Sequence, residues 1–430
     1  MINTTTNSFA VSAARSAHLE DQIAEHPERF RVLTGDRPTG ALHLGHYFGT
    51  LANRVRLQRA GVEVFVVIAD YQVITDRDRV GDLTSNVREL LLDYLAAGID
   101  PETSTVFAHS TVPALNQLML PFLSLVTVAE LRRNPTVKAE AEATGERAMS
   151  GLLLTYPVHQ AADILFCHGN LVPVGRDQLP HVESTRLIAR RFNERYAGGA
   201  IVFGEPDALL TDAPVLLGTD GAKMSKSRGN AIDLRCTEDE TASLIRRAKT
   251  DTDRTITYDP SRRPEVASLL LTAALCTDTD PVDLAESIGD RGAGALKAVV
   301  VEAVNEYFRP LRKRRIELSA DSGLLHSVLT RGNTRANDIA NAPLDKVRLF
   351  RGSEGSPVLW TGQQWLRWQP WFAAFQPIPD APKNDPVKHV FAGPGGPAIV
   401  NGDSGLALWL DDQIDGQLFV TGYRFATRSR

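Results

Sequence analysis

Short apolar runs alternate with longer stretches of helical spacing through the first half of the chain. Arg31-Val32-Leu33-Thr34, the run from Glu63 to Ala69 and the run from Ser104 to Ala108 read as buried strands, and the residues between them carry helical patterns, as parallel βαβ units do. Leu171-Val172-Pro173-Val174-Gly175 reads as a later strand of the same sheet, ending in the site. After the first strand, Gly35 to Gly40 has the composition of a tight turn, and Leu42 to Arg59 that of an amphipathic helix. From about Cys236 to Phe350 the spacing is helical, with Leu269-Leu270-Leu271 and Ala298-Val299-Val300 on apolar faces. The pattern predicts an α/β domain on a parallel sheet over 30–235, followed by a helical domain over 236–350.

The two ends differ from this body. Residues 1–29 form an extension rich in Ser, Thr and Ala and then acidic at Glu20, Asp21 and Glu25, without the apolar stretch of a secretory signal. Nothing in the chain reads as a membrane span, and a cytoplasmic protein is expected. Gly352-Ser353-Glu354-Gly355-Ser356-Pro357 reads as a linker. All five tryptophans follow it, at Trp360, Trp365, Trp368, Trp371 and Trp409. Ala398-Ile399-Val400, Leu406 to Leu410 and Gln417-Leu418-Phe419-Val420 look like short strands, so residues 351–430 are read as a β-rich appendage. An aromatic β-core accounts for its tryptophans better than base stacking does, and its own partner stays unassigned.

Charge and cysteine usage narrow the classes. A formal net charge of −5 excludes a uniformly basic nucleic-acid binder, but a local basic track on an acidic body remains open. Arg309-Pro310-Leu311-Arg312-Lys313-Arg314-Arg315 is such a candidate, close to a helix start expected at Pro310, with further pairs at Arg132-Arg133, Arg190-Arg191, Arg246-Arg247 and Arg262-Arg263. A solvated face pairing with Glu302, Glu306 and Glu317 is the alternative. Cys167, Cys236 and Cys276 are odd in number and lack CxxC spacing, which argues against a disulfide framework, a zinc site or an iron–sulfur cluster. They are expected as buried thiols, and no metal ligands are assigned.

The chemistry lies in two short stretches. His43-Leu44-Gly45-His46 follows the first turn, where a helix N-terminus favours phosphate, Gly45 permits close approach and His43 and His46 can donate to phosphate oxygens. Lys223-Met224-Ser225-Lys226-Ser227 follows Leu217-Gly218-Thr219-Asp220-Gly221-Ala222, a loop with enough glycine to move. Mobile ammonium groups there can meet the negative charge that builds on a departing pyrophosphate. An already ionised carboxylate nucleophile needs no general base. In this order the pair resembles the HIGH and KMSKS motifs of class I aminoacyl-tRNA synthetases, and the second motif matches at all five positions. The resemblance implies a Rossmann-like catalytic domain.

Tyr156-Pro157-Val158-His159-Gln160-Ala161-Ala162-Asp163-Ile164-Leu165 puts Tyr156, Gln160 and Asp163 on one helical face. A buried carboxylate under an apolar pocket can accept from an indole N–H or a phenol O–H and rejects a ring without a donor. The resemblance here is to the tyrosyl and tryptophanyl subclass. Thr34 to Gly40, Asp70 to Asp76, Arg133 to Lys138 and Val172 to Gln178 look like the tryptophanyl members, over about Phe30 to Phe350. It implies that Arg37, Pro38, Thr39, Gly45 and His46 contact ATP and that Gly175, Arg176 and Asp177 reach the adenosine. It places Val215 or Leu216 at the adenine, Lys223 to Ser227 at the triphosphate, Asp163 at the indole, and Tyr156 and Gln178 at the amino-acid head. It further implies Mg²⁺ on the phosphates, L-tryptophan and tRNA(Trp) as substrates, and a homodimer. Gln160, where many members carry Met, keeps a tyrosine-specific enzyme open. An HxGH nucleotidyltransferase and a regulatory synthetase-like protein are the more distant alternatives.

Overall fold

The computed structural model describes residues 4–75, 81–143, 149–175, 178–210 and 214–347, and in the tail the segments 358–360, 365–369, 374–377, 390–393, 396–399 and 407–409. It divides into two compact units, residues 1–347 and 348–430.

The first unit is built on five strands, β1 (Arg31–Asp36), β2 (Glu63–Ile68), β3 (Thr105–Ala108), β4 (Leu171–Val174) and β5 (Asp207–Leu210). They form one parallel sheet in the order β3-β2-β1-β4-β5. Beyond Glu63, β2 is buried throughout, as is β3, which suits Val- and Phe-rich strands covered on both faces. The chain starts in the middle, runs out to β3, then returns to β4 on the far side of β1. The reversal leaves a crevice at the carboxyl ends of β1 and β4, the place where open parallel sheets bind ligands.

Helices close both sheet edges through polar side chains. Ser16, in the helix Thr4–Glu25, accepts the Leu210 N–H of β5 at 2.9 Å. At the other edge Asn333, in the helix Ser322–Val347, accepts the Ala108 N–H of β3 at 3.1 Å. Gly332 permits that approach, because a Cβ there would lie 1.8 Å from the Val106 carbonyl oxygen. Unpaired edge groups are thereby bonded within the chain.

The first four strands fall where the apolar runs placed them. β5 was not anticipated, because Asp207-Ala208-Leu209-Leu210 is too short to show a period. The expected helix over 42–59 begins at Leu44 and contains a π-helical turn, Tyr47–Leu51, immediately after His46. Pro310 does not start a helix. It lies inside Gly292–Ser319, where Phe308 and Leu311 are buried on either side and their packing outweighs the lost backbone bond. Cys167 is buried and its thiol is pushed up to about 12 by burial, whereas Cys236 and Cys276 are half-buried rather than core residues. Among the described residues no helix is long and apolar enough to cross a membrane.

In the second unit, Val358–Trp360, Trp365–Gln369, Ala374–Pro377 and Ala407–Trp409 form a four-stranded sheet, and Val390–Gly393 pairs with Gly396–Ile399. The strand expected at 417–420 and the linker at 352–357 lie outside the described residues.

Candidate active site

The two motifs, about 180 residues apart in sequence, meet at the carboxyl end of β1. The Leu44 N–H donates to the Ile232 carbonyl at 3.0 Å and the Leu234 N–H to the Leu42 carbonyl at 2.9 Å, so the strip after the lysine loop is sewn to the start of the histidine helix. Lys226 Nζ donates to the Gly40 carbonyl at 2.8 Å. The Met224 Cβ lies 3.9 Å from where a Cβ on Gly45 would stand.

Asn230 sets the shape of the lysine loop. It is 2 % exposed, its Oδ1 accepts the Ser225 N–H at 2.8 Å, and its Nδ2 donates to Asp220 at 2.7 Å. A Cβ on Gly218 would sit 2.4 Å from the Asn230 side chain, so this glycine serves close packing rather than the loop mobility expected for it. Lys223 is exposed, while Ser227 lies in the short turn Lys226–Arg228.

His43 caps the helix, and its backbone N–H donates to His46 Nδ1 at 3.3 Å, leaving the proton of a neutral His46 on Nε2. Burial and the neighbouring His46 and Lys226 push His43 down to about 3. Burial, then Lys226 and Arg54, bring His46 to about 4 against the pull of Asp36. Both rings are therefore neutral N–H donors. Behind them Asp36 pairs with Arg54 and accepts from the Tyr94 hydroxyl at 2.8 Å. Burial opposes its ionisation, but the Arg54 guanidinium outweighs that and holds the carboxyl well below the usual carboxylate range.

A cavity of about 340 Å³ opens beside this junction. Arg37, Tyr156, Gln160, Asp163, Gly175 and Gln178 all line it, together with Asp36, Arg54, Gln72 and Glu140. The helix Gly151–Phe166 supplies three of them, at the i, i+4, i+7 spacing expected. Tyr156 Oη lies 3.2 Å from His181 Nε2, and burial with the nearby Glu140 raises its phenol above the usual range. Asp163 is buried on the pocket wall with His109 Nε2 2.8 Å from its Oδ1. The motif histidines and lysines lie outside the lining. Pro38 is buried, Thr39 half-buried, Val215 exposed and Leu216 buried, its carbonyl accepting the Met224 N–H. Arg176 and Asp177 lie outside the described residues.

Sequence reasoning missed Asp36 with Arg54, His109, Glu140 and Asn230. Each is a single polar residue without motif spacing, and only the fold brings it to the site. Of the basic track, Arg309 pairs with Glu238 and Glu306, Arg312 donates to Asn305 and Thr241, and Arg315 pairs with Asp93 and Glu89. Lys313 and Arg314 are exposed.

Residues 25–309 match the family described as tRNA synthetases class I (W and Y). The chain is 41% identical over 336 residues to a tryptophan–tRNA ligase of Treponema pallidum, covering 76% of this chain and 98% of that protein. It is 40% identical over 332 residues to one of Clostridium longisporum, covering 75% and 97%. A crystal structure of Campylobacter jejuni tryptophanyl-tRNA synthetase complexed with ADP and tryptophan matches with a TM-score of 0.64 and 32% identity, over 74% of this chain and 98% of that one. With the paired motifs joined beside a carboxylate-lined pocket, the chain belongs to the class I tRNA synthetases of the tryptophan and tyrosine group.

Proposed function

We propose that this chain is a tryptophan–tRNA ligase, which activates L-tryptophan with MgATP to tryptophanyl-adenylate and pyrophosphate and then esterifies the 3′-terminal ribose of tRNA(Trp). The observation that carries the reading is the junction of the His43–His46 helix with the lysine loop beside a pocket that presents the buried Asp163 carboxylate.

The substrate carboxylate attacks the α-phosphorus and the bond to the β-phosphate breaks, so charge builds on the leaving pyrophosphate. His46 Nε2–H and the helix N-terminus face that region as neutral donors, and Lys226 meets the charge by exchanging the Gly40 carbonyl for a phosphate oxygen. Mg²⁺ would be held mostly by the nucleotide's phosphate oxygens and water, and would neutralise charge on the phosphates. Asp163 accepts the indole N–H, while Tyr156 and Gln178 hold the amino-acid head with Gln160 beside them on the pocket wall. Arg37, Pro38, Thr39 and Gly45 frame the nucleotide, with Gly175, Arg176 and Asp177 on the adenosine and the Val215–Leu216 backbone at the adenine. The helices of 236–347, with Lys313 and Arg314 outward, offer phosphate contacts to tRNA. A homodimer working in the cytoplasm is part of this proposal, as the resemblance to the tryptophanyl members implies.

Amino-acid-dependent ATP–pyrophosphate exchange tests this, with tryptophan and tyrosine compared over a concentration series. Exchange with tryptophan is expected, and exchange with tyrosine alone overturns the assignment. Lys226→Ala should lower kcat for exchange by about a hundredfold with little change in the KM for tryptophan.

A further inference from the structure

Beneath Asp163 lies a histidine that the reaction itself does not use. His109 is fully buried just after β3, its Nε2 at 2.8 Å from Asp163 Oδ1, although its N–H is not aimed along that line and Oδ1 has no other partner. The contact is a charge pair rather than an aligned hydrogen bond. The neighbours decide which group carries the charge. Thr75 donates to Gln72 Oε1 at 3.0 Å, which turns the Gln72 amide nitrogen to His159 Nδ1 at 2.9 Å. Asn116 Nδ2 donates to the carbonyls of His109 and Val112, which turns its Oδ1 to His159 Nε2 at 2.8 Å. Both His159 nitrogens are thus committed, one accepting and one donating, and that ring is neutral. The group His109, His159 and Asp163 has the residue types of a cation site, but His159 has no lone pair left to give.

His109 is packed against the His159 ring, with centroids 4.6 Å apart, and against Tyr71. The titratable groups facing it are Asp163 and His159 from the helix Gly151–Phe166, and Asp70 and Tyr71 from the turn after β2. Asp70 is already satisfied by the N–H groups of Tyr71 and Ser110 and by the Ser110 hydroxyl. Two carboxylates and one available imidazole make His109 the cation of the cluster. Burial opposes its protonation, but Asp163 outweighs that and raises it above the ordinary histidine range.

We propose that His109 is a specificity-determining positioning residue: its imidazolium compensates the buried Asp163 carboxylate and keeps it turned to accept a ring N–H, so that the preference for indole over a shape-matched ring without the donor depends on His109 keeping its proton. This rests on the reading that Asp163 receives the indole. A neutral His109 leaves the buried Asp163 carboxylate without its cation, and a buried charge left unpaired recruits water or another donor in place of the ring N–H, so its orientation toward the indole is no longer fixed.

The test uses ATP–pyrophosphate exchange on the full chain with tryptophan and with β-(3-benzothienyl)alanine, in which sulfur replaces the indole N–H. The ratio of kcat/KM values for the two should fall as pH rises between about pH 6 and about pH 10, through the value of a histidine held above its ordinary range. His109→Gln, which keeps a polar side chain without the charge, should raise the KM for tryptophan and lower the ratio by about tenfold. It should leave kcat and the KM for ATP in place and remove the pH dependence. A ratio flat with pH in the unmodified chain overturns the inference whether or not the variant folds, as does a folded His109→Gln protein with unchanged selectivity. Lost selectivity in Asp163→Asn but not in His109→Gln overturns it too, while the pocket assignment stands. Unchanged selectivity in Asp163→Asn removes the pocket assignment and the inference together.

Discussion

His43 and His46 show how single residues can be tuned for an anion before it arrives. Burial and Lys226, with Arg54 acting on His46, keep both rings neutral, so each offers an N–H donor without a charge of its own. Stability should record this. In the unfolded chain both imidazoles titrate near 6.5, whereas in the folded site they titrate near 3 and near 4. Below 6.5 the unfolded state therefore binds more protons, and the free energy of unfolding falls progressively as the pH drops toward about 4. His46→Asn keeps a donor and removes one of these titrations, so urea unfolding over that pH interval should give a shallower acid slope than the parent chain. An equal slope would mean that His46 titrates in the folded protein as it does in the unfolded chain, and a steeper one that it stays protonated there.

Between elements, a buried carboxylate ties the histidine helix to the helical region. Asp93 is completely buried, with Oδ2 accepting the Leu42 N–H at 3.1 Å and Oδ1 accepting Arg315 Nε at 2.8 Å. Arg315→Met leaves that carboxylate without its cation, and breaking a buried pair from one side costs roughly 3 kcal/mol or more. Because Asp93 also holds the entry to His43, the KM for ATP should rise with the loss of stability, whereas a mere surface ion pair would move neither. Chemical denaturation and exchange kinetics on the same variant separate these outcomes. The example also marks what was legible in the sequence. His43 to His46 and Lys223 to Ser227 have fixed spacing, and Tyr156, Gln160 and Asp163 share a helical period, so local order exposed them. Arg315 sat within a visible basic run, but its partner is 222 residues away and follows no pattern. Pro310 misled for a related reason: local propensity marks a helix start there, and the burial of Phe308 and Leu311, a tertiary term, overrides it.

At the scale of the whole molecule, the first unit contains every described residue assigned to catalysis and closes both edges of its own sheet. At one edge Gly332 lets the helix Ser322–Val347 come against the β3 backbone so that Asn333 can take the Ala108 N–H. Gly332→Val should destabilise the protein by about 3 kcal/mol, because backbone cannot yield to a Cβ placed 1.8 Å from a carbonyl oxygen. The last helix is thus part of the sheet's closure, and a truncation that enters it should lose folding and activity together. Cutting after Val347 is a different case. It leaves the helix, the Asp93 tie and both motifs in place, and it coincides with the boundary between the compact units. The relatives also match over nearly their whole length while covering about three quarters of this chain. A chain of residues 1–347 should therefore keep tryptophan-dependent ATP–pyrophosphate exchange within about twofold. Any larger loss of exchange would place a contribution to adenylation in residues 348–430. Loss of aminoacylation alone would place their contribution at the tRNA step.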